Sequence, residues 1–114
     1  MKILAIGGCG SMGRYAMRAA QNLSSIDKII IADIDKESAE SFAATLNQKV
    51  SAMQLDVNDV NALKKAMKDI NIIVNTCGPY FKFAAPILKA AISSGCNYID
   101  ICDDWEPTID MMKL

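Results

Sequence analysis

Short apolar runs and amphipathic stretches alternate along the whole chain. Ile3-Leu4-Ala5-Ile6 is a continuous apolar run, the pattern of a strand buried on both faces. Met12, Tyr15, Ala16, Ala19, Ala20 and Leu23 then follow at helical spacing and predict one apolar stripe facing the core. A second strand over 28–33, KIIIAD, is dense in β-branched residues. Asp35 is placed to cap a helix in which Ala39, Phe42, Ala43 and Leu46 share a face. A weaker third strand spans 49–55, and Asn58 is the expected cap of a helix carrying Val60, Leu63, Met67 and Ile70. The fourth strand, NIIVNT over 71–76, stops at Gly78-Pro79. Ala84, Ile87, Leu88, Ala91 and Ile92 line the next helix, in which Pro86 is tolerable only in the first turn and which Gly95 is placed to end. NYIDI over 97–101 is a fifth strand, and the tail from Cys102 to Leu114 starts another helical segment with Pro107 near its first turn.

Strand–helix alternation at this density requires parallel strands joined by crossover helices, because parallel neighbours cannot be linked by a tight hairpin. The expected fold class is therefore α/β, a Rossmann-like doubly wound parallel sheet in three layers with about five strands. By analogy with that fold, the strand order is 3-2-1-4-5.

Composition narrows the possibilities without changing the fold. A chain of 114 residues suits one domain over 1–114, able to bury roughly two-thirds of its unfolded surface. With 52% hydrophobic and 22% charged residues it reads as an ordinary globular domain rather than a disordered one. A net charge of -1 gives no electrostatic reason to expect nucleic acid or an acidic membrane as partner. Lys64, Lys65 and Lys68 cluster, but on the polar side of a predicted helix, as a solvated face would. Cys9, Cys77, Cys96 and Cys102 form no C-x-x-C pair and no histidine is present, so no metal site is expected. Reduced thiols in a cytoplasmic protein are the expected reading. The run Ile3–Ile6 is too short for a signal core or a membrane span.

The candidate chemistry begins at IGGCGSMGR. Gly8, Gly10 and Gly13 fit G-x-G-x-x-G, with Gly7 as an extra glycine. Gly8 is assigned the sharp turn leaving the strand, Gly10 the close approach of pyrophosphate oxygens, and Gly13 the packing of helix on strand. The unpaired N–H groups at the helix start, with Cys9, Ser11 and Met12 between the glycines, would face the phosphates. The pattern alone is weak. It is strengthened by the strand before it, the amphipathic helix after it, and Asp33, which ends the next strand 20 residues beyond Gly13. An acid there accepts hydrogen bonds from the adenosine ribose, with Ile34 beside it.

A carboxylate at that position repels a 2′-phosphate, so NAD is expected, with NADP left open through Lys36 and Arg14. Two other nucleotide folds fit less well. The short-chain dehydrogenase pattern needs wider glycine spacing and Tyr-x-x-x-Lys, which no tyrosine here satisfies. S-adenosylmethionine-dependent methyltransferases usually carry an acid in the first strand, which here is wholly apolar. Asp56, with Val57, follows the third strand and is placed to accept from the adenine amino group, or to start the next helix. Thr76, Cys77, Gly78 and Pro79 leave the fourth strand at the same edge, where their backbone can border the nicotinamide half. Gly-Pro simply ending a strand is the competing reading.

The second half, VNTCGPYFKFAAPILKAAISSGCNYIDICDDWEP, resembles the amino-terminal domain of the saccharopine dehydrogenase-like oxidoreductases. The residues that carry the resemblance are Asn75, Gly78, Pro79 and Tyr80 of N-x-x-G-P-[YF], then Gly95, Tyr98 and Asp100 of G-x-x-Y-[IV]-D. With the glycine loop and Asp33, the likeness covers essentially the whole chain. The tail departs from the family pattern: Ile101-Cys102-Asp103-Asp104-Trp105-Glu106 replaces the usual small polar residue and glycine or glutamate. Its acids either face a cationic amino-acid substrate or cap the next helix. Cys102 has no evident base to make it a nucleophile.

The resemblance implies an NAD(P)-binding domain that exchanges hydride with a carbon–nitrogen or similar bond of an amino-acid-like substrate. A homodimer is left open. It also implies a substrate and dimerisation domain placed after this point. The 114 residues alone are expected to bind dinucleotide without turnover, and their catalytic acid–base residue is unknown. The alternative function is a non-catalytic module that binds or senses dinucleotide.

Overall fold

The computed structural model describes residues 1–101 and 105–114, with 80, 81, 105 and 106 described by backbone only. Among the described residues, five strands and five helices alternate strictly. They are β1 (Lys2–Ile6), α1 (Ser11–Ala20), β2 (Lys28–Asp33), α2 (Lys36–Ala43), β3 (Val50–Gln54), α3 (Val60–Ala66), β4 (Ile72–Asn75), α4 (Tyr80–Ser93), β5 (Asn97–Asp100) and α5 (Trp105–Met112). The sheet order is β3-β2-β1-β4-β5, as expected, and every neighbouring pair is parallel. The chain reverses its direction of winding between β1 and β4.

The apolar run of β1 is divided between two cores. Ile3 and Ala5 point to the face covered by Met17 of α1 and by Ala39 and Phe42 of α2. Leu4 and Ile6 point to the other face, packed with Leu63 of α3, Met67 just beyond it, and Ile87, Ala90 and Ala91 of α4. A strand with both faces buried needs continuous hydrophobicity, which is why β1 and β2 lack the alternation of a half-exposed strand. Among the described residues, no helix is long and apolar enough to cross a membrane.

Local corrections concern how the helices are rotated and capped. In α1 the buried residues are Gly13 and Met17, with Ala16 and Ala20 partly buried against the same core. Met12 is 57% exposed, Tyr15 is 71% exposed, and Ala19 and Leu23 also face outward. Contact through Gly13 sets the rotation of this helix, so Ala16, Met17 and Ala20, on its side of the helix, turn inward while Met12 and Tyr15 turn out.

α2 begins as expected, with the Asp35 side chain accepting from the Ser38 amide. α3 is capped by Asp59, which accepts from the Ala62 amide, and not by Asn58; Val60 is exposed. α4 starts at Tyr80 with Pro79 as its N-cap, so Pro86 stands inside the helix rather than in its first turn. Proline there removes the hydrogen bond to the Lys82 carbonyl. Both residues lie on the exposed side of α4. Ile92, expected on the apolar stripe, is 52% exposed. Gly95, at φ 73, ends the helix region as expected. Cys102 and the Asp103-Asp104 pair of the tail lie outside the described residues.

Candidate functional site

The loops that follow β1, β2, β3 and β4 meet at the carboxyl edge of the sheet. The left-handed turn out of β1 falls on Gly7, at φ 72, and not on Gly8. Its amide donates to the Ala32 carbonyl at 2.8 Å. A Cβ on Gly7 would stand 3.0 Å from the Cys77 Cα, so this glycine also lets the loop press on the β4 turn. Thr76 closes the same junction: its hydroxyl lies 2.9 Å from the Gly7 carbonyl and 3.1 Å from that of Ile6.

Gly8 and Gly13 are required for contact. A Cβ on Gly8 would meet the Ala5 Cβ at 2.9 Å. On Gly13 it would meet the Gly7 carbonyl oxygen at 2.5 Å, so α1 packs on the loop itself. Gly10 differs, because a Cβ there meets only the Gly7 oxygen, at 3.3 Å. It forms the N-cap of α1, which has no capping side chain and no acid in its first turn. The α2 and α3 starts at the same edge are capped by Asp35 and Asp59. The exposed first turn of α1, at Ser11 and Met12, thus keeps its positive end for a group from outside.

Cys9 is buried and its thiol donates to Asp33 Oδ2 at 3.1 Å. The other oxygen, Oδ1, accepts from the Asp35 amide at 3.0 Å. The Asp33 carboxylate is thereby held from two sides at the tip of β2. Burial, and then the hydrogen bond and charge of Asp33, push the Cys9 thiol up to about 11, so it stays a donor at neutral pH. Arg14 donates from Nε to the Cys9 carbonyl at 2.7 Å and stacks over the Phe42 ring at 4.7 Å.

A cleft of about 240 Å³ opens between these loops. Of the residues expected at the site, Asp33, Ile34, Asp56, Val57, Cys77 and Gly78 line it. Gly7, Leu55, Asn58 and Phe83 line it as well and were not expected there. The GG pair was the available signal for Gly7; nothing local marks Phe83, which reaches the cleft only because α4 folds back. Asp56 Oδ1 accepts from the Asn58 amide, so it shapes its own turn while facing the cleft. At Gly78 a Cβ would meet nothing within 4 Å, leaving open space at the rim. Burial, and then the charge of Asp33, raise the Cys77 thiol.

Gly8, Cys9, Gly10, Ser11, Gly13 and Pro79 do not line the cleft. Gly8, Cys9 and Gly13 are buried in the loop, whereas Gly10, Ser11 and Pro79 are exposed at helix starts. Met12 and Thr76 line a second groove of about 260 Å³, with Tyr15, Ile99 and Ile101. Cys9, Cys77 and Cys96 are free thiols.

This arrangement has relatives. Residues 3–109 match the family model described as the saccharopine dehydrogenase NADP binding domain. The saccharopine dehydrogenase-like oxidoreductase of Rattus norvegicus is 30% identical over 71 residues, covering 62% of this chain and 17% of that protein. Its counterpart in Homo sapiens is 28% identical over 82 residues, covering 71% and 19%. The chain therefore spans about a fifth of the length of these relatives. Among solved structures, apo saccharopine dehydrogenase (L-Glu forming) from Saccharomyces cerevisiae superposes with a TM-score of 0.83 at 18% identity. That match covers 99% of this chain and 23% of the yeast chain, and it supports the fold alone. A parallel sheet in the order β3-β2-β1-β4-β5, a glycine loop closed on the β4 turn, and a family match over nearly the full length lead to one assignment: the chain belongs to the saccharopine dehydrogenase NADP-binding domain family.

Proposed function

We propose that the cleft holds a nicotinamide dinucleotide and that the chain is the cofactor-binding part of an oxidoreductase acting on an amino-acid-like substrate. The observation that carries this reading is the uncapped start of α1 at Gly10, opening beside a cleft bordered by Asp33. The first-turn amides of α1 bind the diphosphate, and the bare Gly10 edge admits its oxygens. Asp33 accepts from the adenosine ribose, and Asp56 accepts from the adenine amino group. Cys77 and Gly78 border the half of the dinucleotide beyond the diphosphate. When bound, the nicotinamide supplies the hydride-exchanging carbon; the chain's own residues bind, orient and shield it. The substrate-binding site and the acid–base group are contributed by other parts of the full-length protein, so these residues alone bind without turnover.

NAD is the proposed cofactor, because a carboxylate held at the ribose position repels a 2′-phosphate. NADP binding is supported by the family's description and by Arg14, a cation fixed against Phe42 next to Cys9. Titration of the chain with NADH and NADPH, followed by nicotinamide fluorescence, tests both points. Tighter NADH binding is expected. Tighter NADPH binding overturns the cofactor choice, binding of neither overturns the site, and steady-state dehydrogenase activity overturns the division of labour.

A further inference from the structure

The turn after β4 is tied to β5 by a hydrogen-bonded chain of side chains lying behind the cleft. Asn75, at the end of β4, is fully buried, at 0% exposure. The Cys77 amide donates to Asn75 Oδ1 at 2.9 Å. Asn75 Nδ2 donates to the Tyr98 hydroxyl at 3.0 Å, and that hydroxyl donates to Asp100 Oδ2 at 2.6 Å. The direction of every link is fixed. A backbone N–H only donates, so the carboxamide oxygen must face Cys77 and its NH₂ must face the tyrosine. The phenol then accepts from Asn75 and gives its proton to the carboxylate. The strand register makes this possible: Asn75 pairs with Asp100 and Ile73 with Tyr98, which puts all three polar side chains on one face of the sheet.

Asn75 thus holds one side of the Cys77-Gly78 rim, while the Thr76 hydroxyl holds the other side to the glycine loop. Burying the Asn75 carboxamide fully and the Tyr98 phenol partly is costly unless each is paired. The chain therefore has a purpose beyond packing. We infer that Asn75 and Tyr98, anchored by Asp100, are positioning residues that set the Cys77-Gly78 rim for the half of the dinucleotide beyond the diphosphate. This rests on the cofactor reading above. It also gives one physical reason for the N-x-x-G-P turn and the Y-I-D strand to occur together.

The test compares NADH with ADP, which carries the adenosine and diphosphate alone. In Tyr98→Phe the phenol's links to Asn75 and Asp100 are lost while its ring remains. NADH affinity is expected to fall about tenfold and ADP affinity to stay within about twofold. Asp100→Ala, which cuts the Tyr98–Asp100 link and leaves the Asn75–Tyr98 link in place, is expected to show the same split in weaker form. Asp100→Asn keeps an acceptor for the phenol and should restore wild-type NADH binding. Unchanged NADH affinity in Tyr98→Phe and Asp100→Ala overturns the inference, as does an equal loss for both ligands or a failure of Asp100→Asn to rescue. If Tyr98→Phe does not fold, the two Asp100 variants decide. Wild-type chain that binds ADP but shows no loss of NADH in the variants leaves the cofactor reading standing; wild-type chain that binds neither ligand overturns both.

Discussion

The Cys9 thiol and the Asp33 carboxylate, 24 residues apart in sequence, share a hydrogen bond of 3.1 Å, and Asp33 lines the cleft while Cys9 lies buried behind it. The second residue of the glycine motif thus reaches the acid that closes the next strand. The contact makes the position of Asp33 depend on a protonated thiol.

A pH dependence follows from that thiol. Its folded value, about 11, lies above the ordinary 9.0, so the folded state keeps the proton that the unfolded chain loses first. The stabilisation is complete below pH 9 and declines as pH rises toward 11. Across that interval, Cys9→Ala should lose on the order of 2 kcal/mol less stability than wild type. Thermal or urea unfolding at pH 8, 9, 10 and 11 measures it. Parallel stability profiles for the two proteins would contradict the assignment.

The glycines of the motif separate into two kinds. Gly13→Ala places a Cβ against the Gly7 carbonyl and should destabilise the fold by about 2–4 kcal/mol. Gly10→Ala meets only one atom, at 3.3 Å, and should change stability by about 1 kcal/mol or less while weakening dinucleotide binding about tenfold. Urea denaturation and NADH titration on the two variants distinguish these effects. Equal destabilisation by both would show that Gly10 serves packing as well.

The start of α3 offers a test of capping against cleft lining. Asp59→Ala removes the acceptor for the Ala62 amide and should cost about 1 kcal/mol. Asn58→Ala leaves that cap intact, so its stability should stay within about 0.5 kcal/mol of wild type. Chemical denaturation midpoints measure both. A larger loss from Asn58 than from Asp59 would reverse the assignment.

Much of the fold is legible in the chain because its signals are local. The continuous apolar runs at Ile3–Ile6 and 28–33 mark strands buried on both faces, and strict alternation with helices leaves few ways to wind the sheet. Asp35 capped its helix as read because an Asx side chain reaches only its own first turn. The α1 stripe misled for a related reason. Periodicity reports that a helix has an apolar side, but the contact of Gly13 with the loop determines which side faces the sheet. Pro86 also reads differently once the start of α4 at Tyr80 is known.

The sequence by itself determined the α/β alternation, the glycine spacing before α1, and the acid at the end of β2. These depend on residue type and on separations of a few residues, which hydrophobic periodicity and turn chemistry express directly. The tertiary structure alone decided that Gly7 carries the left-handed turn, that Cys9 holds Asp33, and that Asn75, Tyr98 and Asp100 form one chain behind the rim. Those relationships join segments far apart in the chain, and their distances exist only once the register of neighbouring strands is fixed.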